Sequence, residues 1–594
     1  MPASPRDVAP TLVEAVRRLG DDRARGFVFV RPDGQERLWT FHDIAVEAER
    51  RAASLVARGL KKGDRVALVI PDADEFVLSF LAALFAGLVP VPIFPQLSFK
   101  NVESYHATVT HIARASGASL LLTTASTRPY IESVPGSLDA LRSIATIDEL
   151  AGSPAAIDVR VEPDDIAFLQ FTSGSTSRPK GVVVTHANLA ANATAFMIHG
   201  IDRDSDSDKG VSWLPLFHDM GLIGFVVGPL FTNVPCVLIP TASFVRAPRL
   251  WVDKIHEHRG TITYAPNFAY ALVAKRLKDK DVEGLDLSCV RVAGCGAEPI
   301  QAKALRDFAA RLAPAKFDPR SFIASYGMAE ATLAITFAPL GEGLRTDIVD
   351  PLALTRGEAQ GVAAADGPTR AGSVTEIVDC GRPFPGHELR IVDEGGNRLP
   401  ERRVGQIVVR GASVTRGYFE DPEITAQAYK SLPDDPPGAA PWLHTGDLGY
   451  LIADHLFVCG RVKDMIIVRG RNYYPNDIEW AISQLESVRR GNVVAFGVFL
   501  DSQGGVSDAG GEEQLVVCCE GVAADAEAIR EAASACISAQ FGLTPHEILI
   551  APLASLPRTS SGKPQRRRAR QMYMDGTLPR ARSVQERKNG NDES

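Results

Sequence analysis

The chain runs to 594 residues with a formal net charge of -8, 45% hydrophobic and 23% charged residues. That is the balance of an ordinary globular protein, and it excludes a fibrous or wholly disordered chain. The acidic balance offers no general basic surface for nucleic acid, and at about 150 residues per domain the length permits anything from two large domains to four small ones.

The opening MPASPRDVAPTLVEAVRRLG lacks the apolar core of an export signal and passes into a charged amphipathic helix. The 8 cysteines are scattered, and the close pair Cys518 and Cys519 lacks the two-residue gap of zinc and redox motifs, so reduced thiols and a cytoplasmic location are expected. Val77 to Phe94 is uncharged but broken by Gly87, Pro90 and Pro92; it reads as a buried helix followed by a short strand. Gly221 to Val245 is likewise interrupted by Pro229, Asn233, Pro235 and Pro240. It reads as a buried pocket wall with a Val-rich core strand after Pro235, not as a membrane span.

From about residue 40, amphipathic helices alternate with short apolar runs such as Arg65-Val-Ala-Leu-Val-Ile70 and Ser119-Leu-Leu-Leu-Thr123. This predicts an α/β protein with largely parallel sheets. Between Gly341 and Ser373 the chain turns polar and rich in Gly, Ala and Thr, as an inserted excursion would, and Ser431 to Pro441 reads as a loop. Past Arg461, strand-like Met465-Ile-Ile-Val468 and Gln514-Leu-Val-Val-Cys518 suggest a smaller second domain. The polar end, closing Asn589-Gly-Asn-Asp-Glu-Ser594, reads as a disordered tail.

The strand-like Ile166-Ala-Phe-Leu-Gln-Phe171 runs into Thr172-Ser-Gly-Ser-Thr-Ser-Arg-Pro-Lys-Gly181 and leaves through Val182-Val-Val-Thr185. A loop of glycine and small hydroxyl residues between two strands can wrap an anion with backbone N–H groups, and Lys180 adds charge. It is not a Walker loop, because Gly174 lies six residues from Lys180 and glycine follows that lysine. By composition alone such a loop is also a common surface turn.

The ordered string resembles the signature loop of the adenylate-forming superfamily, which contains acyl-CoA synthetases, luciferases and the adenylation domains of peptide synthetases. The resemblance runs from about residue 25 to 575. It continues through Leu214-Pro-Leu-Phe-His-Asp-Met-Gly221, Gly294-Cys-Gly-Ala-Glu-Pro299, Ser325-Tyr-Gly-Met-Ala-Glu330, Gly405-Gln-Ile to Gly417-Tyr418, His444-Thr-Gly-Asp447, Gly460-Arg461 and Ser560-Ser-Gly-Lys563. The resemblance implies a large N-terminal adenylation domain over residues 1–460, with parallel or mixed sheets, and a smaller mobile α+β domain over 461–594 that turns about Lys463.

Joining a carboxylate to the α-phosphate of ATP brings two anions together, so the burden on the protein is electrostatic and positional. By resemblance Lys563 bridges carboxylate and α-phosphate, and Glu330 holds the magnesium that bridges phosphate oxygens. Thr172, Ser173, Gly174, Ser175, Thr176 and Lys180 would cradle the phosphates. Ser325, Tyr326, Gly327 and Met328 would line the nucleotide, the Tyr326 ring lying on adenine and Gly296, Ala297 and Glu298 on the base's other side. Asp447 would accept hydrogen bonds from both ribose hydroxyls, supported by Arg461. His218 and Asp219 are neighbours whose side chains are expected to diverge, which argues against a metal pair; the resemblance puts His218 beside the acyl carboxylate instead.

Three features resemble the fatty acyl-AMP ligase branch. The strings from Trp213 to Gly224 and Ala265-Pro-Asn-Phe-Ala-Tyr270, which hold the candidate acyl-pocket residues Trp213, His218, Asp219, Pro266, Asn267 and Phe268, look like that branch's pocket, and Gly296-Ala-Glu-Pro299 fits too. The chain also runs long between Glu330 and Gly381, matching an inserted segment at about Leu340 to Val378 that restrains the C-terminal domain and disfavours CoA. Ser177-Arg178, where CoA-forming relatives usually have glycine, leans the same way. The implied substrate is a medium- or long-chain fatty acid, the cofactors are ATP and Mg2+, and the acceptor is a separate acyl carrier protein or polyketide or peptide synthase. No carrier domain fits after Arg570. Arg566-Arg-Arg-Ala-Arg570 could meet an acidic carrier helix or tune ATP affinity. The alternatives are an acyl-CoA synthetase, an amino-acid-adenylating enzyme and a nucleotide sensor without catalysis.

Overall fold

The computed structural model describes residues 8–95, 102–133, 141, 143–150, 158–172, 179–362, 374–485, 488, 492–500, 506–507, 512–558 and 564–581. The chain divides into two compact units. The first comprises Met1–Leu344, Cys380–Leu389 and Val409–Leu443, and the second Arg345–Asp379, Arg390–Val408 and His444–Ser594.

The first unit is α/β. Its largest sheet orders the strands Arg382–Pro383, Ala334–Phe337, Phe322–Gly327, Val292–Cys295, Ile262–Ala265, Gly210–Ser212, Cys236–Leu238, Gly26–Val30 and Glu36–Thr40. The inner strands run parallel and the edges antiparallel. A second sheet of four parallel strands orders Val89–Pro92, Arg65–Val69, Leu120–Thr123 and Ser143–Thr146. Parallel strands buried on both faces call for continuous apolar runs, and Ala67, Leu68, Leu121 and Leu122 are fully buried.

Both apolar stretches hold the short buried elements expected of them. Ala73–Phe85 is a buried helix followed by the strand Val89–Pro92, and Cys236–Leu238 is a buried strand. Among the described residues no helix is long and apolar enough to cross a membrane.

In the second unit the sheet Val506–Ser507, Val493–Leu500, Glu512–Glu520, Glu547–Ala551 separates two cores. Successive strand residues point to opposite faces. Val493, Ala495, Leu515, Val517 and Cys519 therefore pack with the helices Pro475–Ser483 and Ala526–Phe541, while Val494, Phe496, Val516 and Cys518 pack with Arg566–Met574. Cys518 and Cys519 thus face different cores.

The second unit begins earlier than the expected domain break at residue 461. Val349, Leu354, Ala359 and Ile377 of the long excursion share one apolar cluster with Leu448, Tyr450, Phe457, Cys459 and Tyr474, which gathers sequence from both sides of Lys463. The expected tail beyond residue 581 and residues 363–373 of the excursion lie outside the described residues.

Candidate active site

Strands Ile166–Thr172 and Lys180–Thr185 form an antiparallel stem in which Thr172 lies opposite Lys180. Ser173, Gly174, Ser175, Thr176, Ser177 and Arg178, between them, lie outside the described residues. The stem is fixed by burial of Phe168, Leu169, Val182 and Val184, and the His111 ring is 2.8 Å from the Pro179 carbonyl at the loop's exit. Gln170, which the sequence did not single out, donates from its amide to the Phe217 carbonyl at 3.1 Å and so ties the stem to the string that carries His218.

Glu330 lies in the tight turn Ala329–Ala331. The turn closes through Thr332 at φ +69, a strained conformation for a β-branched residue, held by the Thr332 hydroxyl donating to the Ser413 carbonyl at 2.6 Å. The Glu330 carbonyl accepts from Thr415 N at 2.9 Å, and its carboxylate accepts from the Tyr418 hydroxyl at 2.7 Å. Burial and the adjacent carboxylate push the Tyr418 phenol well above its ordinary range, so it stays protonated and donates. The Tyr418 ring lies under Lys180, whose Nζ is 5.4 Å from the ring centroid. Glu330 is a hard oxygen donor of the kind Mg2+ selects, and the Tyr418 bond does not by itself saturate a carboxylate with about four acceptor sites. The residue present fits the metal.

Strand Phe322–Gly327 carries Ser325, buried Tyr326 and Gly327, and Met328 follows it. At Gly296 a Cβ would lie 2.5 Å from Ser325 Oγ, so a larger residue would push that hydroxyl off its bond to the Cys295 carbonyl. The next residue, Ala297, turns the chain at φ +67. Glu298 then accepts from Phe268 N at 2.6 Å, and Asn267 Oδ1 accepts from Gln301 N at 3.0 Å. These bonds bring the Gly296-Ala297-Glu298 string beside the start of helix Asn267–Arg276, which Pro266 precedes. Phe268 is part-exposed and meets Trp213 edge-on at 6.0 Å, and Trp213 stacks on Phe244 at 3.8 Å. The candidate acyl and adenine strings are therefore contiguous.

His218 and Asp219 do not diverge. Asp219 Oδ1 lies 2.5 Å from His218 Nδ1, because His218 caps the helix Asp219–Leu222 from an extended conformation that folds its ring back over the first turn. Adjacency in the chain predicts divergence, and the helix cap overrides it. No metal cluster among the described residues includes either one. The helix widens to a π turn over Ile223–Val227, a distortion frequent at functional sites.

In the second unit Asp447 and Arg461 are opposite each other in paired strands, with Arg461 Nε 2.8 Å from Asp447 Oδ1. Gly446, at φ +76, makes the preceding bend in a region glycine occupies at little cost, and Thr445 Oγ1 accepts from Asp447 N at 3.1 Å. Lys463 is exposed in the turn that follows Arg461. Lys563 lies outside the described residues. In the basic run, Arg566 is held by Glu479 and Asp464 and Arg570 donates to the Gly497 carbonyl, which leaves Arg567 and Arg568 as its exposed members.

The sequence pattern of the AMP-binding enzyme family matches residues 12–419, more than half of the chain. The chain belongs to the AMP-binding enzyme family. This AMP-binding enzyme is 38% identical over 539 residues to a Caulobacter vibrioides protein provisionally named an acyl-CoA synthetase, with 90% of each covered. It is 35% identical over 593 residues to a long-chain-fatty-acid–AMP ligase of Mycobacterium marinum, covering 95% of this chain and 97% of that one. It also matches, with a TM-score of 0.87 and 34% identity over 97% of this chain and 99% of the other, a solved structure from work on fatty acyl-adenylate ligases of E. coli and L. pneumophila. Like its family, the protein is an adenylate-forming ligase that uses ATP.

Proposed function

We propose that the protein activates a medium- or long-chain fatty acid. The fatty carboxylate attacks the α-phosphate of ATP, the bond to the β-phosphate breaks, and acyl-AMP and pyrophosphate result. The acyl group then passes to the phosphopantetheine of a separate acyl carrier protein or synthase, releasing AMP. In this reading Lys180 and the loop before it bind the phosphates, Glu330 holds Mg2+, Asp447 takes the ribose hydroxyls, Lys563 bridges the reacting anions and Lys463 is the hinge. The bound Mg2+ would neutralise phosphate charge. The 8 cysteines are free thiols, which suits the cytoplasm.

The inserted segment carries the choice of branch. Within the second unit its Thr355 carbonyl accepts from Asn472 N at 3.1 Å, Asp347 takes the Tyr450 hydroxyl at 2.8 Å and Arg402 at 3.1 Å, and its apolar residues pack with Tyr474 and Met465. A segment bonded to residues beyond Lys463 makes rotation there costlier, so acyl-AMP would build up with free CoA, and transfer to a carrier would need the docked carrier to favour the rotated pose. This supports acyl-AMP over acyl-CoA as product. The Caulobacter relative's name favours an acyl-CoA synthetase as the second reading.

Mass spectrometry of reactions with ATP, Mg2+ and a fatty-acid series, with and without CoA, separates them. Acyl-AMP that accumulates with CoA present is the expected outcome. Ready acyl-CoA would overturn the choice of branch, and no adenylate from any acid would overturn the activity.

A further inference from the structure

We propose that Tyr418 is a positioning residue that sets the Glu330 carboxylate and the Lys180 ammonium for the metal-bearing end of the nucleotide. The argument rests on the adenylation reading above and on three kinds of contact made by one residue, all within the first unit.

Its backbone is anchored beside the exit strand of the phosphate loop. Val183 N donates to the Gly417 carbonyl at 3.0 Å and Phe419 N to the Gly181 carbonyl at 2.8 Å, while Tyr418 N donates to Thr425 Oγ1 at 3.0 Å. Tyr418 therefore moves only if the strand that begins with Lys180 moves with it. Its ring supports the Lys180 ammonium at 5.4 Å, within the range at which a cation is drawn to an aromatic face. Its hydroxyl donates to Glu330 Oε1 at 2.7 Å.

The Glu330 backbone is held separately, by Thr415 three residues before Tyr418. What the hydroxyl adds is the orientation of the carboxylate: with one oxygen engaged, the side chain is confined to a narrow set of rotamers, and its acceptor sites are presented in one direction before any cation arrives. Confining a Glu side chain in advance removes an ordering cost from cation binding. The ring adds the same service for Lys180, whose long flexible stem is otherwise costly to order. Tyr418 itself makes no bond that forms or breaks in the reaction, so its role is to act through Glu330 and Lys180.

The test uses the full-length protein and Mn2+ as a spectroscopic stand-in for the metal, with electron paramagnetic resonance reading bound against free Mn2+ in the presence of ATP. Tyr418→Phe keeps the ring and loses the hydroxyl. It should weaken Mn2+–ATP binding about ten-fold or more, the scale of one hydrogen bond to a charged group, while calorimetric binding of ATP in EDTA changes less than about two-fold. Lys180→Met keeps the hydroxyl and should weaken ATP in both conditions.

In a Glu330→Gln background the Tyr418→Phe loss should shrink towards unity, because the two changes remove one interaction. A thermal melt of each variant identifies any that fail to fold. Equal weakening of ATP with and without metal, or a Tyr418→Phe effect of full size in the Glu330→Gln background, would give Tyr418 a merely structural role and overturn the proposal. A wild-type protein that binds no Mn2+–ATP would overturn the adenylation reading and this inference with it.

Discussion

Arg566→Ala should destabilise the second unit by about 3–5 kcal/mol, the cost of leaving buried charges without a partner. The guanidinium is 15% exposed. It forks onto Glu479 at 2.7 Å through both Nε and Nη2 and reaches Asp464 at 2.9 Å, with Asn476 as a further acceptor. Burial alone would lower the Arg566 pKa, yet Glu479 and Asp464 raise it above its ordinary value, so the site favours the ionised cluster. Glu479 also accepts from Ala495 N at 3.0 Å, so truncating the arginine leaves a carboxylate that cannot turn out to water without losing that bond.

At roughly 2–4 °C per kcal/mol for a unit of about this size, the transition in which the second unit unfolds should fall by roughly 6–20 °C. Differential scanning calorimetry of the intact protein measures it. Arg566→Lys should recover only part of the loss, since an ammonium cannot grip a carboxylate with a planar fork. Arg566 opens the helix that begins three residues after Lys563, so adenylation should fall alongside stability. A shift below about 2 °C in Arg566→Ala would refute the reasoning, because it would mean the cluster is solvated.

Two further outcomes follow from the geometry. His186 is 2% exposed, its Nδ1 accepts from Leu12 N at 3.3 Å, and burial lowers its pKa to about 4, partly opposed by Asp165. Between pH 4 and 6.5 the unfolded chain binds a proton that the native one refuses, so stability is lost as pH falls through that window, by about 3 kcal/mol in all. Denaturant unfolding from pH 7 to pH 4 should show a shallower slope in His186→Gln; an unchanged slope would refute it. Asp447→Asn keeps the shape but loses the charge, so ATP binding by calorimetry should weaken about 30-fold, the equivalent of about 2 kcal/mol for hydrogen bonds that are no longer charge-assisted. The Asp447 pairing with Arg461 predicts a smaller loss in Arg461→Ala, and equal losses would recast Arg461 as a direct ligand.

Much of this protein is legible in one dimension. Alternating helices and apolar runs declare an α/β unit because parallel strands buried on both faces admit few other side chains. The interruptions at Pro90, Pro92 and Pro235 predict short buried elements for the same local reason that they exclude membrane helices. The ordered string Ser325 to Glu330 is legible in the sequence because a strand end and a tight turn are built from neighbours in the chain.

What is decided in three dimensions is every relation between strings. Tyr418 and Glu330 lie 88 residues apart, and their hydrogen bond exists only because residues 417–419 pair beside the strand Lys180–Thr185. Gln170 reaches Phe217 across 47 residues in the same way. The sequence left Cys518 and Cys519 as a close pair; strand geometry sends them to different cores. The divergence expected of His218 and Asp219 failed because a helix cap, unlike a strand, folds consecutive side chains over one turn. The inserted excursion announced itself by composition, but that its apolar residues join a core drawn from both sides of Lys463 depends on long-range burial, which no local pattern encodes.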